Sequence, residues 1–171
     1  MDPHLNRLQQ EIAAAVAGMH SERLSWHPPG KWCAGEILEH LYLSYTGTAK
    51  GFGRVAAAGK SLATTSTWRQ RAGALMVVVF GYMPSGRKAP PVTSPRGLPA
   101  EKVLAEIGLK IAEMDTIIAR CEEQIGSRRQ LLDHPVLGPL TAAQWRKFHL
   151  VHGLHHVKQI KRLRESEQKT S

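Results

Sequence analysis

A chain of 171 residues, 42% of them hydrophobic, is long enough for one domain with its own core and too short to expect two, so residues 1–171 read as a single domain. The formal charge of +9 raises phosphates as partners, but Lys and Arg fall in scattered pairs without interleaved aromatics that could stack bases, which argues against a dedicated nucleic-acid role. Two cysteines, Cys33 and Cys121, form no CxxC or CxxxC arrangement; this suggests neither a disulfide framework nor a cysteine zinc site and fits a reducing cytoplasm.

The N-terminal stretch MDPHLNRLQQEI lacks the basic start and apolar run of a signal peptide. Asp2 can cap a helix with Pro3 at its first position, and Leu5, Leu8, Ile12, Val16 and Met19 recur at three and four, so a helix ending near Met19 is expected. SWHPPGKW breaks the pattern, and CAGEILEHLYLSY resumes it through Ile37, Leu41 and Tyr45. Cys33 stands where a Ser or Thr cap would pair with Glu36, which makes the capping box imperfect. Residues 59–67 read as a connection. The run WRQRAGALMVVVFGYM is assigned to helix, although periodicity alone does not separate it from strand, and its apolar part, Leu75 to Met83, is far too short to span a membrane.

Residues 84–99 hold five prolines and two glycines and read as a long loop of the kind that carries function. Val103, Ile107, Ile111, Met114, Ile118, Cys121 and Ile125 then mark an amphipathic helix that Gly126 stops. HPVLGPL reads as a turn-rich connection, and Thr141 with Gln144 forms a capping box that opens the last helix. With no alternating strand, the expected class is all-α, an up-and-down helical bundle in which metal sites form between facing helices.

The last helix carries FHLVHGLHHVKQI. His152 and His156 are four apart and project from one face, His149 falls near that face one turn earlier, and His155 points elsewhere. An HxxxH pair also suits solvated or core histidines. His40, however, lies on the Ile37 and Leu41 side of the second helix, where a core prefers an aliphatic residue. Alone, it could be a core imidazole bonded to a backbone carbonyl, Tyr42 or Tyr45. With the pair it completes a set of three neutral imidazoles, which binds Zn²⁺, Ni²⁺ or Fe²⁺ and leaves a coordination position free.

The motifs GKWCAGEILEHL and HPVLGPLTAAQWRKFHLVHGLHHVKQI resemble the DinB-like superfamily of small helical proteins. The resemblance implies a four-helix up-down-down-up bundle with an extra short helix or loop insertion, and a divalent metal (Zn or Ni, with Fe or Mn as further options) on His40, His152 and His156. Cys33 replaces the family's Ser after Trp32, which touches only the helix cap. Gln159 is a candidate contact for bound water. Glu36 is a candidate acceptor orienting His40, or simple charge compensation at the helix start.

Superfamily members include thiol-dependent transferases, so the resemblance implies a metal-dependent transferase in which a low-molecular-weight thiol, activated by the metal, attacks a small-molecule electrophile. Metal-dependent hydrolysis, and a noncatalytic dimeric binding module in stress response, are the alternatives. A closed, structural site would need a fourth protein ligand such as His149 or Glu39. No GxSxG and no cysteine beside a histidine suggests chemistry away from the metal. Arg87, Lys88 and Arg96 in the proline-rich loop are candidate anchors for the carboxylates or phosphates of the thiol.

Overall fold

The computed structural model describes residues 1–84, 86 and 88–168, which leaves the candidate anchor Arg87 outside the described residues. Helix α1 (Pro3–Val16) starts as the sequence implies, with Asp2 Oδ1 accepting the His4 N–H at 2.8 Å and Pro3 in the first turn. It stops three residues before Met19, because the chain turns at Gly18 with φ 71°. A short helix not expected from the sequence, α2 (Ser21–Ser25), follows and buries Leu24.

Helix α3 (Ala34–Ala58) has a complete capping box: Cys33 Sγ accepts the Glu36 N–H at 3.4 Å, and Glu36 Oε2 accepts the Cys33 N–H at 2.8 Å. The thiol therefore replaces a hydroxyl as cap, and the box expected to be imperfect is closed. Helix α4 (Trp68–Ala74) runs into a single π-helical stretch, Leu75–Val79, and stops at Phe80, so the helical assignment of this run holds for its first twelve residues. The proline-rich loop contains one 3₁₀ turn, Pro91–Thr93. Helices α5 (Ala100–Ile125) and α6 (Ala142–Gln168) complete the helical part.

The expectation of no strand needs correction. Strands β1 (Gln130–His134) and β2 (Gly138–Thr141) form an antiparallel hairpin with Leu132 opposite Leu140 and His134 opposite Gly138. His134 Nδ1 accepts the N–H groups of Val136 and Leu137, both at 3.1 Å, and closes the turn; Leu131 and Leu140 are buried beneath it. The fold is thus mostly helical with a small two-stranded sheet.

Helix α3 packs chiefly on α5, and α1 on α6. The core they share includes Leu5, Leu8, Tyr45, Phe52, Met114 and Ile160, all fully buried. One ion network lies within it. Arg146 on α6 donates from Nε to Asp115 Oδ1 at 2.8 Å and from Nη1 to Glu122 Oε2 at 2.6 Å, while the Asp2 N–H donates to Asp115 Oδ2 at 2.7 Å. This ties α6, α5 and the start of α1 at one point.

Breaking one side of a buried ion pair leaves the other charge without compensation. Arg146→Met should lower unfolding free energy by about 3 kcal/mol, and Arg146→Met with Asp115→Asn by less than Arg146→Met alone. Urea unfolding of the two variants checks this; a single variant as stable as wild type would show that the network adds nothing.

Candidate metal centre

The capping box predicted for the last helix is present: Gln144 Oε1 accepts the Thr141 N–H at 2.9 Å and Thr141 Oγ1 accepts the Gln144 N–H at 3.3 Å. It fixes where α6 begins, and so which face carries His152 and His156. Between them, Gly153 lets α6 approach α1 and α3: a Cβ there would collide with the buried Leu8 side chain and stand 3.3 Å from the Tyr45 hydroxyl.

At this close approach three imidazoles meet. His40 Nε2 and His156 Nε2 each lie 3.1 Å from His152 Nε2, and one ligand atom from each ring falls within 4.8 Å of the others. The rings stand edge to face, with centroids 4.7–5.1 Å apart. His40 and His156 are buried and His152 is half-buried. Trp32 flanks His40, and Phe148 stacks on His152 at 10°.

A family model described as "Protein of unknown function (DUF1569)" matches residues 4–163, a span that includes all three histidines. The chain belongs to the DUF1569 family. No curated protein and no solved structure matches it.

In this DUF1569 chain, the outer ring nitrogens decide the protonation of the inner ones. His40 Nδ1 is 2.8 Å from the Thr93 carbonyl oxygen, which only accepts, so the proton sits on Nδ1 and Nε2 presents a lone pair. His156 Nδ1 likewise donates to Gln159 Oε1 at 2.8 Å, while the amide nitrogen of Gln159 meets His155 Nε2 at 3.2 Å. Two lone pairs thus face His152 Nε2, which can bring at most one proton to both. Such a set of convergent lone pairs suits a cation. A tetrahedral ion with M–N bonds of about 2.0–2.1 Å places its nitrogens about 3.3 Å apart, close to the 3.1 Å that separates His152 Nε2 from each of the other two.

Burial holds all three rings neutral. It pushes His156 down to about 4 and lowers His40, while His152 falls well below the ordinary imidazole range through burial and then repulsion from His156 and His40. Neutral imidazoles are the form that ligates a metal.

The other sequence candidates divide clearly. Glu36 does not orient His40, because its carboxylate is engaged in the α3 capping box; Thr93 supplies the acceptor instead. Tyr42 donates to Glu106 at 2.8 Å and does not serve His40 either. Gln159 does reach the centre, through His156. His155 is half-buried and outside the trio.

Neither candidate fourth ligand is available. Glu39 accepts the N–H groups of Arg96, Gly97 and Leu98 at 2.7, 3.1 and 3.1 Å, and His149 turns Nε2 to Thr48 Oγ1 at 3.1 Å between the rings of Tyr45 and Trp145. Lys88 and Arg96 are exposed, and the Arg96 guanidinium reaches the Val92 carbonyl. Both thiols are structural: Cys33 caps α3, and Cys121 donates to the Phe52 carbonyl at 3.3 Å. Burial pushes both thiols up, away from the reactive thiolate.

Sequence reasoning missed Thr93. Its contribution is a backbone carbonyl, which no side-chain pattern announces. The nearest signal was the proline-rich loop, whose fixed φ angles favour the turn that presents this oxygen.

One divalent ion per chain is the expected stoichiometry. Alanine at His40, His152 or His156 should each abolish tight binding, alanine at His155 should leave it intact, and Gln159→Leu should weaken it by about tenfold through loss of the Nδ1 acceptor. Titration calorimetry with Zn²⁺ and Ni²⁺ checks the set; full affinity in all three alanine variants would contradict the assignment.

Acid stability follows from the buried rings outside the trio. Burial pushes His149 to about 3 and His134 to about 4, against about 6.5 when unfolded. Between those values the unfolded chain binds protons that the folded chain does not, so stability is flat above about pH 6.5 and falls as pH drops toward 4, by up to about 1.4 kcal/mol per pH unit for each histidine. His149→Gln should reduce that slope in denaturant titrations at pH 5 to 6 without changing it above pH 7; an unchanged acid slope would contradict the burial argument.

Proposed function

We propose that this protein is a metal-dependent transferase of the DinB-like type, in which a low-molecular-weight thiol attacks a small electrophilic substrate. The observation that carries the reading is the convergence of one ring nitrogen from each of three imidazoles, two of them held as lone pairs, while His149 and Glu39 are bonded elsewhere, which favours a coordination position for a small molecule. Zn²⁺ or Ni²⁺ suits the nitrogen donors best, with Fe²⁺ or Mn²⁺ as weaker fits. The up-down-down-up four-helix arrangement, with α4 and the proline-rich loop as its insertion, and assembly as a homodimer belong to the same proposal.

When bound, a divalent ion supplies Lewis acidity that lowers the pKa of a thiol or water. The chain's own residues prepare the place. Thr93 and Gln159 hold the Nδ1 protons of His40 and His156 outward, so both rings keep their Nε2 lone pairs inward. Trp32 packs beside His40 and Phe148 stacks on His152, which fixes the two rings in place. In the transfer the thiol loses its proton, a sulfur–carbon bond forms, and the leaving group departs with its electron pair. The nucleophile has to come from outside the chain, since Cys33 and Cys121 are buried and hydrogen-bonded.

The test mixes Zn²⁺- or Ni²⁺-loaded protein with several biological thiols and a chromogenic electrophile, beside His156→Ala. Conjugation accelerated by metal with one thiol, and slowed at least about tenfold in the variant, is the expected result. Turnover of a chromogenic ester with no thiol effect would favour hydrolysis, and no turnover of either kind would favour the noncatalytic binding module.

A further inference from the structure

The charge of this chain is not spread evenly. No Asp or Glu occurs between Glu39 and Glu101, while eight of the twenty-three Lys and Arg residues lie in that interval. Residues 40–100 therefore carry +8 of the formal +9. In the middle of this acid-free segment, α4 and its π extension turn an apolar stripe to solvent.

Trp68, Leu75, Met76, Val79 and Phe80 recur at helical spacing, and Tyr82 follows just past the helix end, after Gly81. Trp68 is 74% exposed, Phe80 73%, Val79 64% and Tyr82 58%. The opposite side is the one that packs: Val77 is buried in the core, the π stretch lies on α6, and α4 lies on β2. The usual amphipathic order is inverted, with the larger side chains outward. Arg69 and Arg71 flank the stripe at its start. The Arg69 guanidinium sits 5.2 Å over the Trp68 ring, Arg71 Nε donates to Ser66 Oγ at 2.8 Å, and neither pairs with a carboxylate among the described residues.

We propose that Trp68–Phe80, with Tyr82, is a docking element for an anionic lipid surface, lying in the interface with its apolar stripe among the acyl chains and its cations at the headgroups. Charge complementarity selects this occupant. A second copy packed through this same segment would bring no acidic residue from it to answer Arg69 and Arg71. Nucleic acid would meet the cations but leave Leu75, Met76 and Val79 against phosphates. A bilayer with anionic headgroups takes both the aliphatic and the basic side chains, and Trp and Tyr are residues of the interface. No helix among the described residues is long and apolar enough to cross a membrane, so the element lies on the surface.

Co-sedimentation of the full chain with vesicles of phosphatidylcholine alone, and of phosphatidylcholine mixed with phosphatidylglycerol, tests this. Partition onto the anionic vesicles should exceed that onto neutral ones by more than about tenfold and should weaken as salt rises. Val79→Ser with Phe80→Ser, both exposed, should lower partition by about tenfold while the circular dichroism spectrum stays that of wild type. Arg69→Gln with Arg71→Gln should remove most of the preference for phosphatidylglycerol. No binding to either vesicle, or equal binding to both, would overturn the proposal. A micromolar dimer that the Val79 and Phe80 changes dissociate, in protein that ignores vesicles, would assign the stripe to a second copy instead.

Discussion

Two hydrogen bonds on the outer side of the histidine cluster govern what the cluster can be. His40 Nδ1 gives its proton to the Thr93 carbonyl and His156 Nδ1 gives its own to Gln159, so both inner nitrogens are left as lone pairs facing His152. Without those acceptors either ring is free to carry its proton on Nε2, and the cluster becomes an ordinary set of core imidazoles bonded to one another. With them, two lone pairs, each 3.1 Å from His152 Nε2, are built into the fold, an arrangement that a divalent cation relieves.

Most of the local architecture serves to hold those acceptors in place. Thr93 lies in a loop with no regular ladder of its own, and two adjacent residues of α3 grip that loop: Glu39 accepts three backbone N–H groups from Arg96 to Leu98, and His40 donates to Thr93. A buried carboxylate with three charge-assisted hydrogen bonds is a strong clamp. The prolines of the loop lower the entropy it loses on being held there. The cost of the arrangement is a core rich in neutral imidazole, which protonation disrupts; Arg146, pairing with Asp115 and Glu122, balances charge on the part of α6 nearer its start.

The three histidines that the fold brings together were legible because helical periodicity converts sequence spacing into direction. His152 and His156 share a face for that reason, and His40 stood out as a polar residue on an apolar stripe. Long-range partners were not legible in the same way. Thr93 acts through its backbone 53 residues from His40, and the hairpin at Gln130–Thr141 is too short, and too interrupted by Pro139, to show alternation. Glu36 was open to two readings because one carboxylate had two local partners one turn apart, and the free N–H of Cys33 at the helix start won over the imidazole of His40. In α4 the apolar face was visible, but periodicity does not say whether such a face turns inward.

Metal K-edge X-ray absorption on protein loaded with one equivalent of Zn²⁺ tests the central claim most directly, since it counts imidazoles around the ion without requiring activity. The account predicts three imidazole nitrogens at about 2.0–2.1 Å together with a light-atom ligand that an added small thiol replaces by sulfur. A shell of four protein ligands unaffected by thiol, or of fewer than three imidazoles, would contradict it.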